Sequence, residues 1–499
     1  MNEKVSVLCI SAIDPMGMSG LHADIRALES MNVHAVSCIT ATTSQNQNGF
    51  YHLNPVSKVA FKNQLDALHD QTTFEIIKIG LIADLAQINM LIDHPIIQNK
   101  KIVLDPVLSA TQGDIQGHDE RLQGIIKLLP YCNVITPNLS EANQLLFSEN
   151  DSEDEKLLAE AFLKLGVESV LIKGGHGQQQ ARDYYAQGDV VFYLEHELYA
   201  HHYNRGTGCA MASLISGALA LGSSQGDAVT IAKMQMNSAW QQPFSIDDQT
   251  GSLQFKPWQA PLQFSAIGSK QSELTVQLPL VYQQPENKKL QFPACELPLG
   301  LYPIFDRAHW LERILPLGVR IAQLRIKDLE GDALKAEIAL AIKIARTYDC
   351  QLFINDYWQY AVELGAYGVH LGQEDIDDAD LNAISKAGLR LGLSSHCFYE
   401  VARAKTINPS YIAFGPVFET QTKDMPWIPQ GPQGLRYWRA HLPDTPMVAI
   451  GGIHGKRFTD VKATGVDSIA MITAITLDPD PEKAASSYID MFEGSLSVH

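Results

Sequence analysis

From Gly300 onward the chain holds eight short apolar runs, each followed by enough sequence for a helix or a loop. They are Leu301–Phe305, Ile321–Ile326, Leu352–Ile354, Gly368–Leu371, Leu391–Leu393, Tyr411–Phe414, Met447–Ile450 and Ser468–Ile472. Eight such repeats in the final 200 residues are the number that a (β/α)8 barrel requires. Polar residues and glycines cluster just after the runs: Asp306, Arg325 and Lys327, Asn355 and Asp356, Gly372 and Asp375, Ser394, Gly415, Gly451 and Gly452, and Thr473. In barrels of this kind the rim at the strand C-terminal ends carries the chemistry.

The first half alternates as well, with apolar runs at Val5–Ile10, Ala35–Thr40, Ile76–Leu81, Ile102–Leu104, Val134–Ile135 and Val170–Ile172. Amphipathic stretches such as 60–69 and 155–165 lie between them. Strands alternating with helices imply βαβ units and a largely parallel sheet. Ala210 to Leu221 is small and apolar, which suits a buried helix. Between about Ile246 and Leu297 the period is lost among prolines and polar residues, the texture of a linker with one or two short strands. The expected division is a first domain over 1–250, a linker over 251–297 and a barrel over 298–499.

Charge narrows the partners. With 38 Lys and Arg against 56 Asp and Glu, the formal charge is −18. A general nucleic-acid or anionic-membrane binder needs a basic face, so small molecules are the expected partners, with room for a local basic pocket that takes a phosphorylated ligand. The seven cysteines are scattered with no CxxC pair, which argues for reduced thiols rather than disulfides or structural zinc. No stretch approaches 18 consecutive apolar residues, and the start lacks a signal-like apolar run. A soluble cytoplasmic protein is expected, with its oligomeric state left open.

The barrel rim is the richest part. On an extended strand Gln323, Arg325 and Lys327 point the same way, and two cations with an amide on one face are costly to bury unless an anion sits there. The plainer alternative is a strand end with solvated charges. Asn355-Asp356 and Gln373-Glu374-Asp375 end two consecutive runs, and carboxylates there, close to Arg325 and Lys327, suit Mg²⁺ bridging to a diphosphate. Helix capping by Asp375 accounts for that residue equally well. Thr420, Thr422 and Lys423 lie in a loop after the sixth run, able to close over an anion. Gly451-Gly452 and Ile472-Thr473 end the last two runs, where backbone N–H groups can approach a phosphate.

Read together, QLRIKD at 323–328, FINDYW at 353–358, GVHLGQEDI at 368–376, LGLSSH at 391–396, TQTK at 420–423, VAIGGI at 448–453 and SIAMITAI at 468–475 resemble thiamine-phosphate synthase. The resemblance covers about Leu301 to Ile475 in order. It implies coupling of 4-amino-5-hydroxymethyl-2-methylpyrimidine diphosphate to a thiazole phosphate, with release of diphosphate. By motif it gives Gln323, Arg325, Lys327 and Asn355 to the pyrimidine diphosphate, and Asp356 and Asp375 to Mg²⁺. Ser394 then contacts the pyrimidine amine or the diphosphate, and Lys423 closes on the diphosphate. Thr420, Thr422, Gly452, Ile472 and Thr473 cradle the thiazole phosphate. Arg325, Lys327, Lys423 and the metal would act as electrostatic catalysts on the leaving diphosphate.

In the first half, Asn204-Arg-Gly206-Thr207-Gly208-Cys209 precedes the apolar run from Ala210. A Gly-Thr-Gly turn at a helix N-terminus can form an anion hole for a transferring phosphoryl group. A cysteine at that position is expected to have a lowered pKa and to be able to serve as a base. A glycine-capped helix with an inert cysteine is the plainer alternative. Leu104-Asp105-Pro106-Val107, Ile135-Thr136-Pro137-Asn138 with Glu141, and Ile172-Lys173-Gly174-Gly175-His176 each follow an apolar run.

With Gly-Thr-Gly-Cys, these segments resemble the hydroxymethylpyrimidine/phosphomethylpyrimidine kinase branch of the ribokinase-like three-layer α/β/α fold. The resemblance implies Cys209 as candidate base, Gly206, Thr207 and Gly208 as anion hole, and Asp105, Asn138 and Glu141 around Mg²⁺ and phosphate. It also implies Lys173 at ATP, and Asp24 and Gln45 at the pyrimidine. Two departures stand out: Ile13, Met16 and Met18 occupy a loop that is small or polar in the family, and Arg205 replaces a common His. The joint reading is a bifunctional enzyme of thiamine biosynthesis. Two alternatives stay open: a binding or sensing module attached to a working synthase, and a kinase for a related ring such as pyridoxal.

Overall fold

The computed structural model describes residues 4–46, 48–70, 73–108, 118–146, 151–174, 180–199, 205–246, 251–261, 277–285, 288–419 and 428–494. Two compact units emerge, one taking residues up to Gln259 plus the stretch 277–283, the other running from Gln284 onward.

The first unit is built on one sheet. Its strands are β1 (Ser6–Ile13), β2 (His34–Asn46), β3 (Gly49–Pro55), β4 (Ile76–Ile79), β5 (Lys101–Leu104), β6 (Val134–Ile135), β7 (Ser169–Ile172), β8 (Gln180–Gln187) and β9 (Val190–Glu197). After a separate hairpin of β10 (Pro243–Ser245) and β11 (Gly251–Leu253), β12 (Leu280–Tyr282) completes the order β12-β9-β8-β7-β6-β5-β4-β1-β2-β3. The central strands from β2 through β7 pair in parallel, and the β2–β3 and β8–β9 hairpins border them antiparallel. All six expected apolar runs fall in the central strands.

The sheet buries both faces. Leu8 and Ile10 of β1 join a core with Phe61, Leu65, Ile88 and Phe162 from helices on one side. Val7 and Cys9, alternating with them, are equally buried. The helix Thr207–Ala220 packs against the helix Leu21–Ser30, and its small residues permit a close approach. A Cβ on Gly217 would fall 2.9 Å from Met31 Sδ.

The segment 251–297 is divided between the units. β11 closes its hairpin and β12 pairs antiparallel with β9. From Lys289 the chain lies against the barrel: Ser410 Oγ donates to Pro293 O at 2.7 Å, and Gln351 Nε2 donates to Glu296 O at 2.9 Å.

The second unit is a closed barrel of β13 (Gly300–Phe305), β14 (Ile321–Leu324), β15 (Gln351–Asn355), β16 (Gly368–Leu371), β17 (Arg390–Ser395), β18 (Tyr411–Phe414), β19 (Met447–Ile450) and β20 (Ser468–Met471). All neighbours are parallel, and β20 pairs back to β13. One detail differs from expectation: β14 stops at Leu324, so Lys327 lies beyond the strand instead of sharing its alternation with Gln323.

Candidate active sites

At the C-terminal ends of the barrel strands opens a cavity of about 940 Å³. Gln323, Arg325, Lys327, Asn355, Asp356, Asp375, Ser394, Gly452, Ile472 and Thr473 all line it. Thr420, Thr422 and Lys423 lie outside the described residues. The parallel register brings the others together, because Gln323 follows Ile304 across one ladder and Phe353 follows Gln323 across the next. Strands β14, β15 and β17 thereby deliver Gln323, Asn355 and Ser394 to one rim.

The two acidic residues are crowded. Asp356 has φ 63°, a left-handed conformation that Asp tolerates better than most residues, and its Oδ2 accepts from Lys327 Nζ at 2.6 Å. Asp375 Oδ2 accepts from Gly372 N at 3.1 Å. Burial, together with the nearby Asp356 charge, raises the Asp375 pKa above the usual carboxylate value. Two adjacent carboxylates that resist shared ionisation fit a cation. Among the described residues no group of three or more His, Cys, Asp or Glu is gathered to hold a metal. Two carboxylates beside a basic rim are the donor type that an oxygen-loving divalent ion takes together with phosphate and water.

The opposite part of the rim is backbone. Gly452 has φ 64°, and a Cβ there would fall 2.5 Å from Glu419 O, so only glycine fits this close approach. Ile472 caps the short helix Thr473–Thr476, presenting N–H groups beside it.

Below the rim lies a polar cluster that sequence reasoning missed. Tyr302, His370 and Tyr411 are buried within the barrel and hydrogen-bonded to one another and to Gln323 and Ser394. Burial lowers the His370 pKa to about 4, with Arg325 adding to the shift. Burial likewise raises both tyrosines. The available signal was a histidine inside the apolar run Gly368–Leu371 and tyrosines inside two others.

In the first unit the candidate residues also converge at strand C-terminal ends. Asp105 follows β5, Asn138 and Glu141 follow β6, and Lys173 follows β7. Lys173 Nζ donates to Asp105 Oδ1 at 2.9 Å and stands 4.0 Å from Glu141 Oε2. Asn138 and Glu141 cap each other: each backbone N–H donates to the other's side chain at 2.8 Å. Burial alone would raise Asp105, but Lys173 and Lys78 outweigh it and hold the carboxyl below its ordinary value. Glu141 behaves differently, since burial, against the pull of Lys173, pushes it up to about 7.

The Gly-Thr-Gly turn meets this group. Gly206, at φ 76°, caps the helix Thr207–Ala220, and a Cβ on it would fall 2.0 Å from Met18 O. A Cβ on Gly208 would lie 3.1 Å from Lys173 Nζ. Cys209 follows, and here the expectation of a lowered pKa is overturned. Burial pushes the thiol up to about 12; Lys78 opposes the shift, while Asp105 and Asp24 add to it. A helix N-terminus does not offset a poorly hydrated thiol with two carboxylates nearby.

Asp24 is wholly buried, accepting from Lys78 Nζ and from Ser213 Oγ, each at 2.8 Å. Its other oxygen is buried with no hydrogen-bond partner among the described residues. Gln45 Oε1 accepts from Arg205 at 3.0 Å, and Arg205 stands 3.6 Å from Asp14. The Asp14 carboxylate in turn accepts from the backbone N–H groups of Met16, Met18 and Ser19. The altered loop is therefore folded around Asp14, with Met18 buried.

Known proteins divide along the same line. Residues 14–254 match the phosphomethylpyrimidine kinase family model, and residues 301–475 match that of thiamine monophosphate synthase. The thiamine-phosphate synthase of Yersinia pseudotuberculosis is 52% identical over 203 residues, which cover 41% of this chain and 94% of that protein. That of Serratia proteamaculans is 52% identical, covering 41% of this chain and 96% of the relative. Among solved structures, the phosphomethylpyrimidine kinase of Clostridium difficile is 28% identical with a TM-score of 0.42, over 47% of this chain and 99% of that one. The pyridoxal kinase of Staphylococcus aureus is 25% identical with a TM-score of 0.48, over 56% and 98%. With its closed barrel and the cavity at the strand C-terminal ends, the chain belongs to the thiamine-phosphate synthase family, and residues 14–254 of the same polypeptide match the phosphomethylpyrimidine kinase model.

Proposed function

We propose that one chain performs consecutive steps of thiamine biosynthesis in the cytoplasm. The first unit phosphorylates 4-amino-5-hydroxymethyl-2-methylpyrimidine and then its phosphate, each time with ATP. The barrel then joins the resulting diphosphate to 4-methyl-5-(2-phosphooxyethyl)thiazole. The observation that carries this reading is that one cavity gathers Gln323, Arg325, Lys327, Asp356, Asp375 and Ser394.

In the kinase, Gly206 to Gly208 receive the transferring phosphoryl group while Lys173 and Asp105 orient the nucleotide. The substrate hydroxyl oxygen bonds to the γ-phosphorus, ADP leaves, and the hydroxyl proton is released. With its thiol raised to about 12, Cys209 lines this hole in protonated form. Gln45, held by Arg205, reads the ring.

In the barrel, the bond from the pyrimidine methylene to diphosphate breaks, leaving a cation stabilised by the electron-rich ring. The thiazole nitrogen lone pair then closes the new C–N bond. Asp356 and Asp375 would hold Mg²⁺, which neutralises charge on the departing diphosphate. Arg325 and Lys327 act on the same charge, and Asn355 helps to position it. Gly452, Ile472 and Thr473 hold the thiazole phosphate through backbone N–H groups. No strong base is needed, and His370, lowered to about 4, is not a proton carrier in this scheme.

The test supplies purified protein with Mg²⁺, ATP, the unphosphorylated pyrimidine and thiazole phosphate, and follows ADP and thiamine phosphate together. Pre-made pyrimidine diphosphate runs in parallel. Product from both starting points is the expected result. Product from the diphosphate alone would reduce the first unit to a binding module.

A further inference from the structure

Gln323 on β14 and Ser394 on β17 are joined by an unbroken chain of hydrogen bonds through the barrel core. Gln323 Nε2 donates to Tyr302 Oη at 3.3 Å, and Tyr302 Oη meets Tyr411 Oη at 2.8 Å. Tyr411 Oη meets His370 Nδ1 at 2.8 Å, and His370 Nε2 meets Ser394 Oγ at 3.0 Å. The two tyrosines are 1% and 0% exposed and the histidine 7%, so none of their polar groups can rely on bulk water.

The chain has a direction. An amide nitrogen only donates, so Tyr302 accepts from Gln323. Among the described residues the one acceptor hydrogen-bonded to the Tyr302 hydroxyl is then Tyr411 Oη. The Tyr411 hydrogen passes to His370 Nδ1, and the imidazole carries its own hydrogen on Nε2 and donates to Ser394 Oγ. With the Gln323 Nε2 amide facing Tyr302, the reverse order would leave the Tyr302 hydrogen without an acceptor among the described residues, which is the costly outcome. Two groups at the cavity end up with fixed character: the Gln323 carboxamide oxygen is left to accept, and the Ser394 hydroxyl is left to donate.

We propose that Tyr302, Tyr411 and His370 form a positioning relay that fixes the hydrogen-bonding face the barrel offers to its substrate ring, an acceptor at Gln323 and a donor at Ser394. That face matches a ring presenting an amino hydrogen and a ring nitrogen, as an aminopyrimidine does. The backbone is shaped to keep the relay in place. A Cβ on Gly392 would fall 2.1 Å from Tyr411 Cζ, so the tyrosine ring rests on a glycine. It also stacks on His370 with ring centroids 5.7 Å apart.

The inference rests on the assignment of pyrimidine diphosphate to this cavity, and the test separates the two. Full-length Tyr411→Phe and Tyr302→Phe each remove one hydroxyl and keep the ring. The barrel reaction is started from pre-made pyrimidine diphosphate and thiazole phosphate. The KM for pyrimidine diphosphate is expected to rise about tenfold, the scale of deleting one buried hydrogen bond, while that for thiazole phosphate stays unchanged. Added to Ser394→Ala, Tyr411→Phe is expected to cost little more, because the chain is already open.

If Ser394→Ala raises that KM while both tyrosine variants leave it alone, the relay is wrong and the site assignment stands. If Ser394→Ala also changes nothing, the site assignment itself falls. Equal rises in both KM values would mark the tyrosines as packing only and overturn the relay. Should one tyrosine variant fail to fold, the other carries the measurement.

Discussion

Single residues in these sites take their character from what surrounds them more than from their type. Glu141 holds its proton to about 7, against about 4.5 when freely exposed, because it is buried beside Asp105. A folded group that binds its proton more tightly than the unfolded one stabilises the fold below the lower value and loses that contribution as pH climbs through the upper one. Between pH 4.5 and 7 this residue therefore makes folding less favourable with rising pH. The Glu141→Gln protein should show a flatter melting temperature across that window than the parent, read by thermal unfolding at matched ionic strength. Cys209 carries the complementary lesson. Cys209→Ser is expected to lower kinase kcat by less than about tenfold, because a thiol lining the hole is replaced by a hydroxyl that can do the same. A loss of about 100-fold or more, the scale of a general base, would restore the base role.

At the scale of elements, the turn before the helix Thr207–Ala220 is the most constrained piece of the kinase site. Gly206→Ala would combine a left-handed φ with a Cβ 2.0 Å from Met18 O. About 1–3 kcal/mol of strain is expected there. Kinase activity should fall steeply while the barrel reaction from pre-made diphosphate is unchanged, both read in one assay.

The same scale shows why some elements could be read from sequence and others not. The eight barrel strands and six central strands of the sheet are each built around an apolar run, because parallel strands are covered on both faces. β8 and β9 are antiparallel, and their Arg182, Asp183 and Glu195 interrupt any apolar run. Their charges are absorbed by partners distant in sequence. Lys233 donates to Asp183 at 2.7 Å, and Tyr282 donates to Glu195 at 2.5 Å. Motif spacing identified the rim of the barrel, since the rim residues lie in or just after the ends of the apolar runs. His370 and the two tyrosines stayed hidden because they sit within runs that read as core. The direction of the Cys209 pKa shift was missed because a helix N-terminus is visible in sequence, whereas burial with Asp105 and Asp24 nearby is not.

Over the whole molecule, each unit has its own hydrophobic core and its own cluster of candidate site residues. Scanning calorimetry is expected to show two unfolding transitions rather than one. Mg²⁺ with ATP should raise one of them, and Mg²⁺ with diphosphate the other, since a ligand stabilises the body that binds it. A single transition that moves with either ligand would contradict this.

The strand β12 has a practical corollary for anyone dividing the polypeptide. It belongs to the sheet of the first unit, although the chain has already passed the hairpin β10–β11 before reaching it. A fragment ending at Gln259 would leave the outer edge of β9 unpaired and Glu195 without the Tyr282 phenol, while a fragment ending at Pro285 would keep both. The longer piece should melt higher and stay monodisperse at concentrations where the shorter one self-associates through its naked β9 edge. A barrel fragment that begins before Leu280 would carry away a strand that is not its own.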